Sequence, residues 1–298
     1  MANWRVRAIW LAIATFFSTF WVGTATWAPW DALSQSVFIE SWFPVRCLAV
    51  ANWWEGLQFS LALMCILAAH EFGHYTLTLA YRVPSTPPLF IPFPLSPLGT
   101  LGAVIAMQGG EADRRQIFDI GLAGPLAGLV VTVPILIFGM LHQQTFPYAP
   151  YESMKMGQPL LVQWLALWIA PEQAGIYTEI VNSKMDPLLM AGWVGLFVTG
   201  LNMMPIGQLD GGHVVFGLLG NQSRWVGMAA FVTALAYCVY AKLFIFWLML
   251  LLVLLMGFRH PPSRDDSRKL GWFRGMLGWA SLALPILCIP SNPMIQLG

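Results

Sequence analysis

Residues 56–80 read GLQFSLALMCILAAHEFGHYTLTLA. A bilayer core is crossed by about 20 apolar helical residues, and this stretch has that length. Its second half nevertheless carries His70, Glu71 and His74. Ionisable groups inside a span are costly and mark function more often than packing. The stretch therefore implies a membrane protein whose chemistry sits at membrane depth. Composition agrees: 57% of the 298 residues are hydrophobic and 10% charged, whereas an ordinary soluble domain carries about 25% charged residues. Mean hydropathy is +0.65. The 15 Trp and 19 Phe suit aromatic belts at the membrane interfaces. Net charge is +1 and no long basic run occurs, which argues against a nucleic-acid partner. Cys47, Cys65, Cys238 and Cys288 form no CxxC pair. They read as small buried hydrophobes rather than a disulfide framework.

Further apolar runs lie at 8–28, 118–141, about 187–205 and 275–290, the last interrupted by Pro285. The first follows Arg5 and Arg7 and lacks an A-x-A cleavage site, so it reads as a retained anchor. Residues 225–258 would form a single helix of about 51 Å, too long for a core of about 30 Å. They read as two short helices meeting near Lys242. Basic residues test that split. With the N-terminus inside, Arg5, Arg7, Arg82, Arg114, Arg115, Arg224, Arg259, Arg264, Arg268, Lys269 and Arg274 are inner, and Arg46, Lys155, Lys184 and Lys242 are outer. A single span would move Arg259–Arg274 outside, against the positive-inside rule.

The expected fold is an all-α polytopic membrane protein of about six to seven transmembrane helices. A small membrane-associated β-hairpin or loop is expected over 84–107. Its first part, PSTPPLFIPFPLSPL, holds six prolines and forbids a regular helix. GTLGAVIAM (99–107) has the β-branched residues and glycines of a strand. Residues 1–298 read as one integral membrane domain: a core over 56–260, an anchor and outer loop over 1–55, and a terminal span within 261–298. The outer connection 142–186 is too short for a typical independent domain. Gly124 and Gly128, with Gly121 and Pro125, signal close helix packing, and Asp119 reads as a carboxylate at a helix start.

His70-Glu71-Phe72-Gly73-His74 is HExxH. The i, i+4 spacing puts both imidazoles on one helical face, where they can share a zinc while Glu71 reaches water on it. Catalytic zinc usually has three protein ligands. The best third ligand is Asp210, in Asn202-Met203-Met204-Pro205-Ile206-Gly207-Gln208-Leu209-Asp210-Gly211. Pro205 and the glycines can break the helix and turn Asp210 inward; the alternative is a cap on the next helix. His213 reads as a group behind the ligands or a packing residue, His142 as interfacial, and His260 as no ligand.

HEFGH followed downstream by NMMPIGQLDG resembles the site-2 protease family, the intramembrane zinc metalloproteases. The second motif fits N-x-x-P-x-x-x-L-D-G at every fixed position. PLGTLGAVI (97–105) and FDIGLAGPLAG (118–128) also look like that family, especially its bacterial and plastid members. The resemblance covers roughly 56–260. It implies Zn2+ held by His70, His74 and Asp210, with Glu71 as general base. It further implies that Asn202 holds or polarises the substrate carbonyl. The 99–107 strand, including Gly99, Thr100 and Gly102, is expected to bind an unwound substrate by β-augmentation. Expected partners are a transmembrane protein substrate and membrane lipid. The expected location is a bacterial cytoplasmic membrane, with the active site toward the cytoplasm. The PDZ and CBS domains of some relatives do not fit: the longest outer loop is 142–186 and about 8 residues follow the last span. Competing readings are a membrane iron enzyme, since two His and a carboxylate also hold iron, and a metal-binding protein or transporter without catalysis. The His count of 5 is too low for histidine-box di-iron enzymes, and no repeated halves mark a transporter.

Overall fold

The computed structural model describes residues 2–143, 155–169, 171–181, 185–241, 243, 247–258 and 263–290. Its α-helices are α1 (Ala2–Thr24), α2 (Pro29–Phe38), α3 (Phe43–Ala51), α4 (Trp53–Ala80), α5 (Arg114–His142) and α6 (Leu160–Ile169). There follow α7 (Pro187–Asn202), α8 (Asp210–Leu219), α9 (Ser223–Tyr240), α10 (Trp247–Met256), α11 (Trp272–Ser281) and α12 (Leu284–Cys288). Strands β1 (Leu89–Pro92) and β2 (Thr100–Val104) pair antiparallel, as do β3 (Lys155–Gly157) and β4 (Glu179–Val181).

The apolar residues of α4, α5 and α7 meet in one core. Phe59, Leu63 and Leu67 of α4 join Leu136 and Met140 of α5 and Leu189, Trp193 and Leu196 of α7. Helix α7 is apolar on every side, and twelve of its sixteen residues are buried. Such a helix belongs inside a protein rather than at its surface. Around this core, α1 packs on α4 and α8 on α5.

Among the described residues, three helices are long and apolar enough to cross a membrane: α4, α5 and the Trp4–Thr24 part of α1. Helices α6, α7 and the Trp272–Cys288 run are shorter. The three long helices carry part of the expected six to seven spans. Helix α7 reaches only about 24 Å at 1.5 Å per residue, because the chain leaves the helix at Met203 and re-enters at Asp210. The 225–258 run divides into α9 and α10 as expected, with Lys242 itself outside the described residues, as are Lys184, Arg259 and His260. The 275–290 run breaks ahead of α12, which begins at Leu284 with Pro285 in its first turn.

The 84–107 segment is a β-hairpin. Leu89 pairs with Val104 and Phe90 with Ala103, and the register shifts before Pro92 meets Thr100. The expected strand over 99–107 shortens to Thr100–Val104. The sequence reading anticipates neither α2 and α3, within the 1–55 anchor and outer loop, nor α6 and the β3–β4 pair, within the 142–186 connection.

Asp119 is a correction. Helix α5 starts five residues earlier, capped by Asp113, whose side chain accepts from the Arg115 and Gln116 N–H groups while Gln116 reaches back. That is a capping box, so Asp119 lies inside the helix. Its carboxylate accepts a two-pronged bond from Arg274, 2.8 and 2.9 Å, and a third from the Tyr81 hydroxyl at 2.6 Å. Burial first, and the Asp119 carboxylate second, hold the Tyr81 phenol above its ordinary pKa, so it stays a donor. The cysteines are all free, but Cys47 and Cys65 are exposed, so only Cys238 and Cys288 fit the buried reading.

Candidate active site

Helix α4 carries His70 and His74 one turn apart, with ring centroids 5.0 Å apart. Both are buried, as is Glu71 between them. The interrupted α7–α8 pair brings in Asp210, 140 residues away in sequence. Asp210 occupies the first turn of α8, but the cap position belongs to Leu209 and the carboxylate turns to the histidines. Asp210 Oδ2 lies 3.1 Å from His70 Nε2 and Oδ1 3.3 Å from His74 Nε2. The two Nε2 atoms stand 3.2 Å apart.

Proton bookkeeping decides what this cluster suits. His74 Nδ1 lies 2.7 Å from the Ile120 carbonyl of α5. A carbonyl only accepts, so Nδ1 carries the hydrogen and the neutral ring presents a lone pair at Nε2. That lone pair faces a carboxylate oxygen and another imidazole nitrogen. A cation among them relieves the repulsion. Donors held tetrahedrally at zinc's bond lengths stand about 3.3 Å apart. The two Nε2 atoms, 3.2 Å apart, match that spacing, and Asp210 sets one oxygen against each, Oδ2 3.1 Å from His70 and Oδ1 3.3 Å from His74. His70, His74 and Asp210 therefore fit one zinc ion, each offering one ligand atom. The Ile120 carbonyl sets the orientation and tautomer of His74, as hydrogen-bonded partners of metal-binding histidines commonly do.

Helix α5 makes the room. A Cβ on Gly124 would lie 2.1 Å from His74 Nε2, and one on Gly128 would lie 3.2 Å from His70 Nδ1. The glycine spacing expected to serve helix packing thus also clears space for the two rings. On the facing helix, a Cβ on Gly73 would strike the Ala123 carbonyl at 2.6 Å. Sequence reasoning missed the Ile120 carbonyl, which no side-chain pattern reveals. It also missed the imidazole-clearing role of Gly124, although the glycine spacing was in view.

Asn202, the last residue of α7, places Nδ2 3.4 Å from His70 Nε2. The expected catalytic and ligand residues thus converge. His213 packs on α5, where a Cβ on Gly121 would meet it at 2.6 Å. Thr100 and Gly102 lie in β2 of the hairpin, and Gly99 in the turn that precedes it. Thr100 is buried, and its hydroxyl bonds the Ile91 and Gly102 carbonyls and accepts from the Gly102 N–H. Those bonds shape the hairpin. The side chains β2 exposes are Leu101 and Val104.

The sequence signature described as Peptidase family M50 matches residues 58–246. The chain is 28% identical over 237 residues to "Probable zinc metalloprotease EGY1, chloroplastic" of Arabidopsis thaliana, covering 78% of this chain and 43% of that protein. It is 29% identical over 213 residues to the EGY1 protein of Oryza sativa subsp. japonica, covering 71% and 33%. It is 25% identical over 217 residues to "Probable zinc metalloprotease EGY2, chloroplastic" of Arabidopsis thaliana, covering 71% and 37%. The chain thus spans less than half the length of these relatives.

Proposed function

The chain belongs to peptidase family M50, and from that premise we propose that it is an intramembrane zinc metalloprotease, cutting peptide bonds within or near transmembrane segments of other membrane proteins. The observation that carries this reading is the meeting of His70, His74 and Asp210 beside the buried Glu71. Zinc held there would lower the pKa of a bound water toward about 7 and polarise the scissile carbonyl. Glu71 takes a proton from the water and passes it to the leaving nitrogen. Asn202 donates through Nδ2 toward the developing oxyanion. A helical substrate hides its scissile bond, so it unwinds locally. The free edge of β2 then pairs with the extended segment. Gly99, Thr100 and Gly102 shape that platform rather than touch the scissile bond.

The finer architecture is also ours. Seven spans, with α9 and α10 as a hairpin, keep the Arg259–Arg274 run on the arginine-rich side. That side is the cytoplasmic face of a bacterial membrane, and we place the site's water access there. Residues 1–298 act as one unit with its core over 56–260. Its partners are transmembrane protein substrates and lipid.

The test is Glu71→Gln in protein purified in detergent, with zinc content and cleavage of a model transmembrane substrate measured together. Removing the base while sparing the ligands should leave zinc in place and cut the rate about 10²–10⁴-fold. Wild-type cleavage by Glu71→Gln would end the protease reading.

A further inference from the structure

Helix α1 lies outside the residues matched by the family signature. It nevertheless carries four buried hydroxyls, Thr15, Ser18, Thr19 and Thr24. Buried polar groups in a span call for partners. Ser18 and Thr19 have partners on other elements. Thr19 Oγ1 lies 2.7 Å from Ser60 Oγ of α4, and Ser60 also donates to the Phe16 carbonyl at 2.9 Å. Ser18 Oγ donates to the Gly99 carbonyl at 2.5 Å, a bond spanning 81 residues and buried. The same carbonyl accepts from the Phe93 N–H at 3.1 Å. Gly99 has φ +76, and a Cβ there would lie 2.7 Å from Thr19 Cα. Only glycine lets the hairpin come this close to α1 in that conformation.

We propose that Ser18 is a positioning residue for substrate: its hydrogen bond to Gly99 locks the β-hairpin against α1. Through Ser60, α1 is itself fixed to the helix that bears His70 and His74. The proposal rests on the reading of β2 as the substrate-pairing edge. A two-stranded hairpin is marginal alone, and β2 has β1 as its one strand partner. An edge that must align a peptide bond with a metal centre needs a support outside the sheet. Helix α1 supplies it, bonding the turn that leads into Thr100. In this arrangement Gly99 and Thr100 hold the strand, and Leu101 and Val104 are the side chains left to meet substrate.

The test uses the full chain in detergent with a model transmembrane substrate. Ser18→Ala should raise KM about three- to ten-fold, the worth of one net hydrogen bond. It should leave kcat and zinc content unchanged, because saturating substrate re-forms the strand pairing. Ser18→Cys, nearly isosteric but a weak donor, should fall between wild type and Ser18→Ala, and it serves if the alanine variant does not fold. A wild-type KM in both variants overturns the proposal. So does a loss of kcat and zinc at constant KM, which would mean that α1 acts on the metal helix instead. Val104→Pro separates the underlying reading. It removes a strand donor and should impair cleavage with zinc still bound. Normal cleavage by that variant removes the substrate-edge reading and this proposal with it. Impaired Val104→Pro beside a normal Ser18→Ala removes the proposal alone.

Discussion

Adding one methyl group at Gly124 should disable the site without replacing any proposed ligand. The new Cβ would lie 2.1 Å from His74 Nε2, 2.4 Å from Cε1 and 2.5 Å from Cδ2. Ordinary van der Waals contact begins at 3.4 Å, so ring and methyl must separate by more than about 1 Å, a displacement that costs a catalytic centre roughly 10²-fold. Few escapes exist. His74 Nδ1 is tied to the Ile120 carbonyl on the same helix as the intruding methyl. The α4 and α5 backbones already touch at Gly73 and Ala123. Moving the helices apart carries the overpacking penalty of about 1–3 kcal/mol, and rotating the ring turns Nε2 away from Asp210. Gly124→Ala should therefore lose zinc and at least about 10²-fold in rate. Gly128→Ala places its Cβ 3.2 Å from His70 Nδ1. There a shift of a few tenths of an ångström suffices, and the loss should stay under about ten-fold. Gly109→Ala meets nothing within 4 Å and is the control. Zinc per protein, cleavage rate and a melting curve are the measurements. A folded Gly124→Ala protein with full zinc and a wild-type rate would refute the account of how α4 and α5 build the site.

His74→Ala deletes a proposed ligand, and Asp210→Asn exchanges an anionic ligand for a weaker neutral one; both should lose zinc and activity together. Asp210→Asn binding zinc as tightly as wild type would show the third-ligand assignment to be wrong. Asp119→Asn weakens the two-pronged bond from Arg274; with Arg274 40% exposed, solvent discounts the pair, and a loss of about 1 kcal/mol is expected, read as a lower melting temperature with zinc retained. An introduced Ser267→Cys, in an exposed loop proposed to be inner, should resist an impermeant thiol reagent applied from outside to cells carrying Cys47→Ser and Cys65→Ser, which remove the exposed native thiols. Labelling from outside would overturn the seven-span topology.

What was legible depended on how far each signal stood above its background. In a chain with 10% charged residues and 5 His, an ionisable group at membrane depth is costly enough to be conspicuous. His70, Glu71, His74 and Asp210 could therefore be picked out, and the ligand count of zinc suggested that they meet. Glycine gives no such contrast, since the chain has 27. Nothing local separates Gly124, which faces an imidazole, from a glycine that faces open space. The Ile120 carbonyl is invisible for a stronger reason: every residue but one type carries the same backbone donor and acceptor. Asp119 was misplaced because the apolar run was taken as the helix. Its start was written instead in Asp113 and Gln116, a polar pair three residues apart that only a search for caps would find. The Arg274 partner, 155 residues downstream, leaves no local trace at either end. Helices α2, α3 and α6 escape a search for membrane-length apolar runs because each is only 9 or 10 residues long. Side chains that are expensive to bury thus announced the chemistry, while the backbone and the glycines that hold those side chains in register became visible only in three dimensions. The Gly124 and Ser18 variants matter for that reason: each perturbs the support and leaves the proposed ligands and the proposed base in place.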